Sequence, residues 1–324
     1  MTAPVGPFAQ SALHVAGPQA AHIERLWWLM FGVSAAVYAL VMAALLIAIL
    51  RRRRAAVEPE PRPDPAREQG LGRVVWAATG LTALTLFLLI AASYLTDKGL
   101  DALAHDEEVS IEVTGQQWWW KVRYHGAPES RGFDTANEIH IPVGATVKLT
   151  LKSTDVIHSL WVPALHGKQD LIPGQDNVLY LRADRPGIYR GQCAEFCGFQ
   201  HAKMALKVVA ESREDFARWR EAQLAPAPQP ADAVQARGMA VFLSGPCVMC
   251  HRIAGTDAGG VTGPDLTHVA SRRTLAAGEI PNNRGHLAAW IADPQGIKPG
   301  NHMPASNLDP ADVRALVAYL ESLR

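Results

Sequence analysis

The stretch Cys193-Ala-Glu-Phe-Cys197-Gly-Phe-Gln-His201-Ala-Lys-Met204 places two thiols, an imidazole and a thioether in one short segment. Upstream, Ser153-Thr-Asp-Val-Ile-His158-Ser-Leu-Trp161 offers a second imidazole, His158. Thiolate, imidazole and thioether form the soft nitrogen-and-sulfur set that copper favours in electron transfer. On the residues alone, several arrangements stand open. One cysteine, two histidines and the methionine make a mononuclear copper site. The second cysteine, with Glu195 between, allows two metals bridged by both sulfurs. Zinc on two cysteines and two histidines leaves Met204 without a role. A Cys193–Cys197 disulfide needs only the thiols.

Around this segment, short runs alternate apolar and polar residues. Val109, Ile111 and Val113 do so, as do Val147, Leu149 and Leu151, and 178–181, 187–189 and 206–209 are further candidates between turn sequences such as Ile-Pro-Gly and Arg-Pro-Gly. Many short strands with turn chemistry between them predict a β-sandwich or barrel over 96–221. The run AQLAPAPQPAD at 222–232 has no apolar period and is predicted to be an extended, semi-rigid linker. Over 233–324 the pattern turns helical, with apolar spacing near three and four in 234–243, 286–292 and 312–320. Asp309 followed by Pro310 resembles an N-cap and a first-turn proline.

Near the N-terminus, 26–50 and 74–95 are almost wholly apolar and uncharged. As helices they reach roughly 33 to 37 Å, enough to cross a bilayer core of about 30 Å. Arg51, Arg52, Arg53 and Arg54 follow the first, and Arg62, Arg67 and Arg73 precede the second. Basic residues collect on the cytoplasmic side, so the loop between the spans is expected inside, with the N-terminus and everything after Leu95 outside a bacterial cell membrane. Trp27 and Trp28 stand at the outer end of the first span, where interfacial aromatics collect. The opening residues lack an apolar core of signal-peptide length. The 31 basic and 31 acidic residues balance, which removes the usual electrostatic case for nucleic acid.

Cys247-Val-Met-Cys250-His251 is the CxxCH attachment signature of c-type haem, with thiols to bond the porphyrin and His251 placed to bind iron. Met239 precedes the motif by too little chain to reach the far face, and Met249 lies between the anchoring cysteines. Met303, in Gly300-Asn-His-Met-Pro304, is therefore the expected sixth ligand, with His302 and His268 as competitors.

His158 followed by Cys-x-Glu-x-Cys-x-x-x-His-x-x-Met is similar to the dinuclear CuA site of cytochrome c oxidase subunit II, here with a fused cytochrome c as in caa-type haem-copper oxidases. The resemblance covers nearly the whole chain. It implies a two-helix membrane hairpin, an all-β cupredoxin-like sandwich and a small all-α cytochrome c domain. By position it makes Cys193 and Cys197 the bridging ligands, His158 and His201 one ligand each, and Met204 a weak one. Glu195 would ligate through its carbonyl while its carboxylate faces a magnesium or manganese ion at the subunit interface. Trp161, Pro163 and Gly167-Lys168 fit the family's stretch after the first histidine, and Gly263-Pro264-Asp-Leu266 resembles the cytochrome c segment near the proximal histidine. Trp118, in Gly115-Gln-Gln-Trp118-Trp119-Trp120, would accept electrons from the donor side.

The implied function is relay from a soluble or membrane cytochrome c, through haem c and CuA, to a catalytic subunit I that reduces oxygen to water with proton translocation, with subunit III alongside. Neither span carries a histidine, so the oxygen site lies elsewhere. A nitrous oxide reductase component would need a much larger catalytic domain, and a copper-delivery protein has no use for covalent haem. Arg73 stands where many relatives carry a glutamate near a proton path, so no proton-path residue is assigned. Three consecutive tryptophans on one strand cannot all face one core, so at least one is expected to be exposed or at a subunit contact. Asp155 and Asp170 read equally well as an acidic docking surface or as ordinary solvated charge. His105, His125, His140 and His166 have no partner set in the sequence and read as surface or satisfied polar residues.

Overall fold

The computed structural model describes residues 10–54, 65–101 and 107–324 of the chain. Arg62 and His105 lie outside the described residues. Two compact units emerge, one made of residues 21–103 and the other of 1–20 with 104–324.

The smaller unit consists of α1 (Pro18–Arg54) and α2 (Pro65–Asp101). Their mean hydropathies over the apolar windows are 2.6 and 2.1, and each is long and apolar enough to cross a membrane. Apolar side chains point outward all round, as on Leu40, Val41, Phe87 and Leu88. Lipid rather than a protein core is the partner such a surface needs.

The larger unit begins with ten strands: β1 (Glu107–Gln116), β2 (Trp119–Tyr124), β3 (Phe133–Ala136), β4 (Glu138–Pro142), β5 (Thr146–Ser153), β6 (His158–Trp161), β7 (Gln169–Leu171), β8 (Asn177–Leu181), β9 (Gly187–Cys193) and β10 (Ala205–Glu211). They form two five-stranded sheets, ordered β3-β2-β1-β5-β8 and β4-β10-β9-β6-β7. The alternation along β5, which lies between β1 and β8, gives it one core face: Val147, Leu149 and Leu151 are fully buried, and the residues between them are partly exposed. These side chains meet Ile111, Val113 and Trp120 in a single core between the sheets. The three tryptophans do not share one strand. Trp118 lies in the turn between β1 and β2 and is buried, while Trp119 and Trp120 start β2, with Trp120 buried and Trp119 partly exposed. The turn frees Trp118 from the strand's alternation.

Helix α3 (Arg213–Gln223) follows the sandwich, capped by Ser212, whose hydroxyl accepts the Asp215 N–H. Beyond come α4 (Ala233–Ser244), the ribbon β11 (Thr274–Leu275) and β12 (Ile280–Pro281), then α5 (Arg284–Ala292), α6 (Pro294–Ile297) and α7 (Pro310–Ser322). Asp232, Asn283 and Asp293 cap α4, α5 and α6 with side-chain oxygens, and Asp309 with Pro310 opens α7. Helices α4 and α7 cross at Gly238, where a Cβ would lie 2.0 Å from the Ala315 carbonyl oxygen, so only glycine permits this approach. Phe242, Ile253, Leu316, Tyr319 and Leu320 fill this second core. Residues 222–232 are not free chain here: the Ala227 N–H donates to Ala254 O (2.8 Å), and His268 Nε2 lies 3.1 Å from Ala225 O.

Candidate metal centre

The start of β6, the end of β9 and the loop before β10 converge at one edge of the sandwich. His158 opens β6 and Cys193 closes β9, and the pairing of Leu160 with Cys193 sets them side by side. Gly115 on β1 makes room for the imidazole, because a Cβ there would lie 2.8 Å from His158 Cδ2. The loop then turns back, with a 3-10 turn at His201–Lys203 that delivers His201 and Met204.

His158 Nδ1 is 3.9 Å from Cys193 Sγ, the two sulfurs are 3.7 Å apart, His201 Nδ1 is 3.6 Å from Cys197 Sγ, and Met204 Sδ is 3.9 Å from that same sulfur. The Glu195 carbonyl oxygen lies 3.2 Å from Cys193 Sγ. All six residues named in the sequence therefore meet at one place. A sulfur separation of 3.7 Å is well beyond the about 2.05 Å of a disulfide, and both thiols are free. His158 and Met204 are fully buried, and Cys193 and Cys197 nearly so.

Charge at this site is coupled. Hydrogen bonding from Cys197 pulls the Cys193 thiol down to about 3 against its burial, with His158 assisting, while the same contact and burial push the Cys197 thiol up. A cation held between the sulfurs would favour the thiolate on both. Burial opposes charge on His158, but the Asp155 carboxylate and Cys193 outweigh it and raise the imidazole's pKa.

Asp155, read in the sequence only as a docking or solvated charge, also touches the candidate ligand His158. Its Oδ1 lies 2.8 Å from His158 Nε2 and accepts the Val156 N–H at 2.6 Å, and its Oδ2 accepts the Gln117 N–H at 2.6 Å. These bonds hold the imidazole with Nδ1 toward Cys193 Sγ. The only signal in the sequence was an Asp three positions before a candidate ligand. Asp170 pairs with Lys168 at 3.3 Å, and Lys168 also reaches Glu195 Oε2 at 3.3 Å. Trp118 donates from Nε1 to the Cys197 carbonyl at 2.8 Å, and its ring centroid is 6.3 Å from that of His302.

In the helical part, Cys247 and Cys250 are free thiols, and Cys250 is exposed. His251 Nδ1 is 2.8 Å from Pro264 O, which leaves Nε2 for a metal, and burial lowers its pKa toward the neutral form that ligates. A Cβ at Gly263 would lie 2.7 Å from His251 Cε1, so the glycine lets the 263–266 segment close on the ring. Both nitrogens of the buried His268 face backbone carbonyls, of Arg324 at 2.8 Å and of Ala225 at 3.1 Å. That ring is already committed and is not free to bind iron. His302 is exposed beside Trp118. Met303 is held in its loop by its N–H to Asn301 Oδ1 (2.8 Å) and its carbonyl to Gln295 Nε2 (2.8 Å).

Of the remaining histidines, His140 has partners after all. Its Nδ1 lies 2.9 Å from Glu211 Oε1, its Nε2 lies 3.9 Å from Glu138 Oε2, and its ring stacks on Trp219 at 4.1 Å. His125 lies 3.8 Å from Glu129, and burial pushes His166 down to about 4.

Comparison with known proteins agrees with this arrangement. The family described as "Cytochrome C oxidase subunit II, periplasmic domain" matches residues 125–212, and the cytochrome c family matches 235–324. A cytochrome c oxidase subunit 2 from Alkalihalophilus pseudofirmus is 37% identical over 332 residues, covering 100% of this chain and 94% of that protein. Another, from Bacillus sp. strain PS3, is 32% identical over 255 residues, covering 75% of this chain and 69% of the relative. Among solved structures, the periplasmic domain of subunit II of the Bradyrhizobium japonicum cytochrome oxidase aligns at 30% identity with a TM-score of 0.34, over 37% of this chain and 96% of that one. The chain belongs to the cytochrome c oxidase subunit 2 family, in the form that carries a cytochrome c domain after the sandwich, and is thus a component of an oxidoreductase complex.

Proposed function

We propose that this subunit relays electrons from a cytochrome c donor, through a haem c held in the helical domain and a dinuclear CuA centre held by the sandwich, to a catalytic subunit that reduces oxygen and translocates protons. The single observation that carries the proposal is the convergence of His158, Cys193, Glu195, Cys197, His201 and Met204 at one sandwich edge, with the two sulfurs 3.7 Å apart, His158 beside Cys193 and His201 beside Cys197. Two bridging thiolates, two imidazoles, a thioether and a carbonyl fit two coppers better than one metal, and they leave no donor idle as zinc would. A thiolate-bridged copper pair spreads one unpaired electron over two metals, which keeps structural change on transfer small.

The chain's own part is to hold that geometry dry. Asp155 orients His158, the sandwich core excludes water behind Met204, and Trp118 ties its indole to the Cys197 carbonyl. In the helical domain Cys247 and Cys250 would anchor the porphyrin. His251, aimed by Pro264, and Met303 would supply its nitrogen and sulfur ligands, a reading strengthened by the commitment of His268 elsewhere. The basic end of α1 supports an inside loop, with both redox domains on the outer face of the membrane. Phe196 and Phe199, 77% and 93% exposed on the ligand loop, suit a contact with the catalytic subunit. A magnesium or manganese ion at Glu195, shared with that subunit, would have to displace Lys168 from the carboxylate.

The test is an optical and paramagnetic spectrum of the purified full chain. Mixed-valence copper bands together with haem c in one polypeptide are expected, and His158→Ala or Cys193→Ser should abolish the former and spare the latter. One copper or one zinc per chain would overturn the dinuclear assignment.

A further inference from the structure

Lys298 is 2% exposed, yet among the described residues its amine has no carboxylate within ion-pair distance. Nζ instead donates to three backbone carbonyls: Trp118 O at 2.6 Å, Lys203 O at 2.7 Å and Ala276 O at 3.1 Å. Three acceptors match the three donors of an ammonium, which is what allows such a group to be buried. Trp118 and Lys203 belong to the sandwich, while Lys298 and Ala276 belong to the helical domain.

The contact does not stand alone. Lys298 lies in the 294–303 segment that ends on Met303. From the sandwich side, Gln200 Nε2 donates to Pro299 O at 2.6 Å, and Lys203 Nζ donates to Ile297 O at 2.8 Å. Nearby, the Ala205 N–H reaches Ala277 O at 2.9 Å, and the Arg273 N–H reaches the buried Glu138 Oε1 at 2.6 Å. At the far end of the segment His302 faces the Trp118 ring.

We infer that Lys298 is a positioning residue for electron transfer within the chain: its buried amine, inserted among sandwich carbonyls beside the metal loop, seats the Met303-bearing segment of the cytochrome domain against Trp118. The seat rests on the proposed function only for the meaning of the transfer, not for its existence. Carbonyl dipoles are fixed by the backbone and no side chain can rotate away from them, so the latch has one geometry. Seated in this way, the segment presents one face to its own domain and the other to the residue bonded to Cys197. The residues that would hold haem and those that would hold copper are thereby kept in one relative position.

The test compares full-length wild type with Lys298→Met, which keeps the aliphatic stem and removes all three donors. Amide exchange at Ala205 and Arg273 should accelerate by about tenfold or more, because both N–H groups bond across the seat. Haem-to-copper transfer after flash reduction should slow by a similar factor, while both spectra and the reduction of haem by external cytochrome c stay unchanged. A merely structural role would instead disturb the haem spectrum or the external step. Wild-type protection at both amides in the folded variant sinks the inference. If Lys298→Met fails to accumulate, Lys203→Met reads the same seat through loss of its bond to Ile297, and unchanged exchange there overturns it equally. Absence of copper or haem from the wild type counts against the proposed function, while the exchange measurement still decides the latch.

Discussion

At the scale of single residues, the ligand loop was legible because its chemistry is concentrated in one stretch: four soft donors between Cys193 and Met204 have few other uses. Asp155 was not legible in the same way, since a carboxylate three positions before a histidine is ordinary, and only β6 pairing and the β1–β2 turn bring it to Nε2 and to the Gln117 N–H. Its role is open to measurement. Asp155→Asn keeps the size and removes the charge, so His158 should lose its fixed orientation. Copper affinity, measured by competition with a chelator, is expected to fall about 10- to 100-fold with the spectrum retained in form. Equal affinity in the two proteins would return Asp155 to the status of a surface charge. Lys298 was equally hidden. A lysine in a Gly- and Pro-rich loop reads as solvated, and its acceptor at Trp118 is 180 residues away in sequence.

Among the elements, alternation located β1, β5, β8, β9 and β10, and spacing near three and four located α4, α5 and α7. The tryptophan run failed as a strand because a turn at Gln117 and Trp118 divides it, and apolar residues do not announce turns. Helix α3 shows what an element adds to the sandwich. Its Trp219 stacks on His140 of β4, which is also flanked by Glu211 of β10 and by Glu138. Burial opposes charge on His140, yet the two carboxylates prevail and raise its pKa above the ordinary 6.5. A raised histidine contributes stability that is fully present below that ordinary value and is lost as pH rises through the folded one. Replacing His140 with Asn should therefore lower the thermal midpoint near about pH 6 and do so much less near about pH 9. An equal loss at both values would mean that stacking alone, not charge, joins α3 to the sheet.

For the molecule as a whole, the proposed order of relay rests on what is joined and what is not. In the proposed relay an external cytochrome would reach the helical domain by diffusion, whereas that domain and the sandwich already share hydrogen bonds. Reduction of haem by the external donor should then slow as salt rises, since exposed charges steer the encounter and are screened within about 10 Å at 0.1 M ionic strength. Transfer onward to copper should barely respond. Flash reduction followed at separate haem and copper wavelengths distinguishes the steps, and a strong salt dependence in the second would mean that the domains part and meet again on each turnover. The burial of Trp118 has a wider consequence. With its ring beside His302, its indole N–H on Cys197 and its carbonyl on Lys298, it offers no face to a visitor. In the proposed relay, recognition of the donor would then fall to the outer surface of the appended domain. Exchanging that surface for another would then change which redox protein feeds the complex, with the sandwich scaffold left as it is.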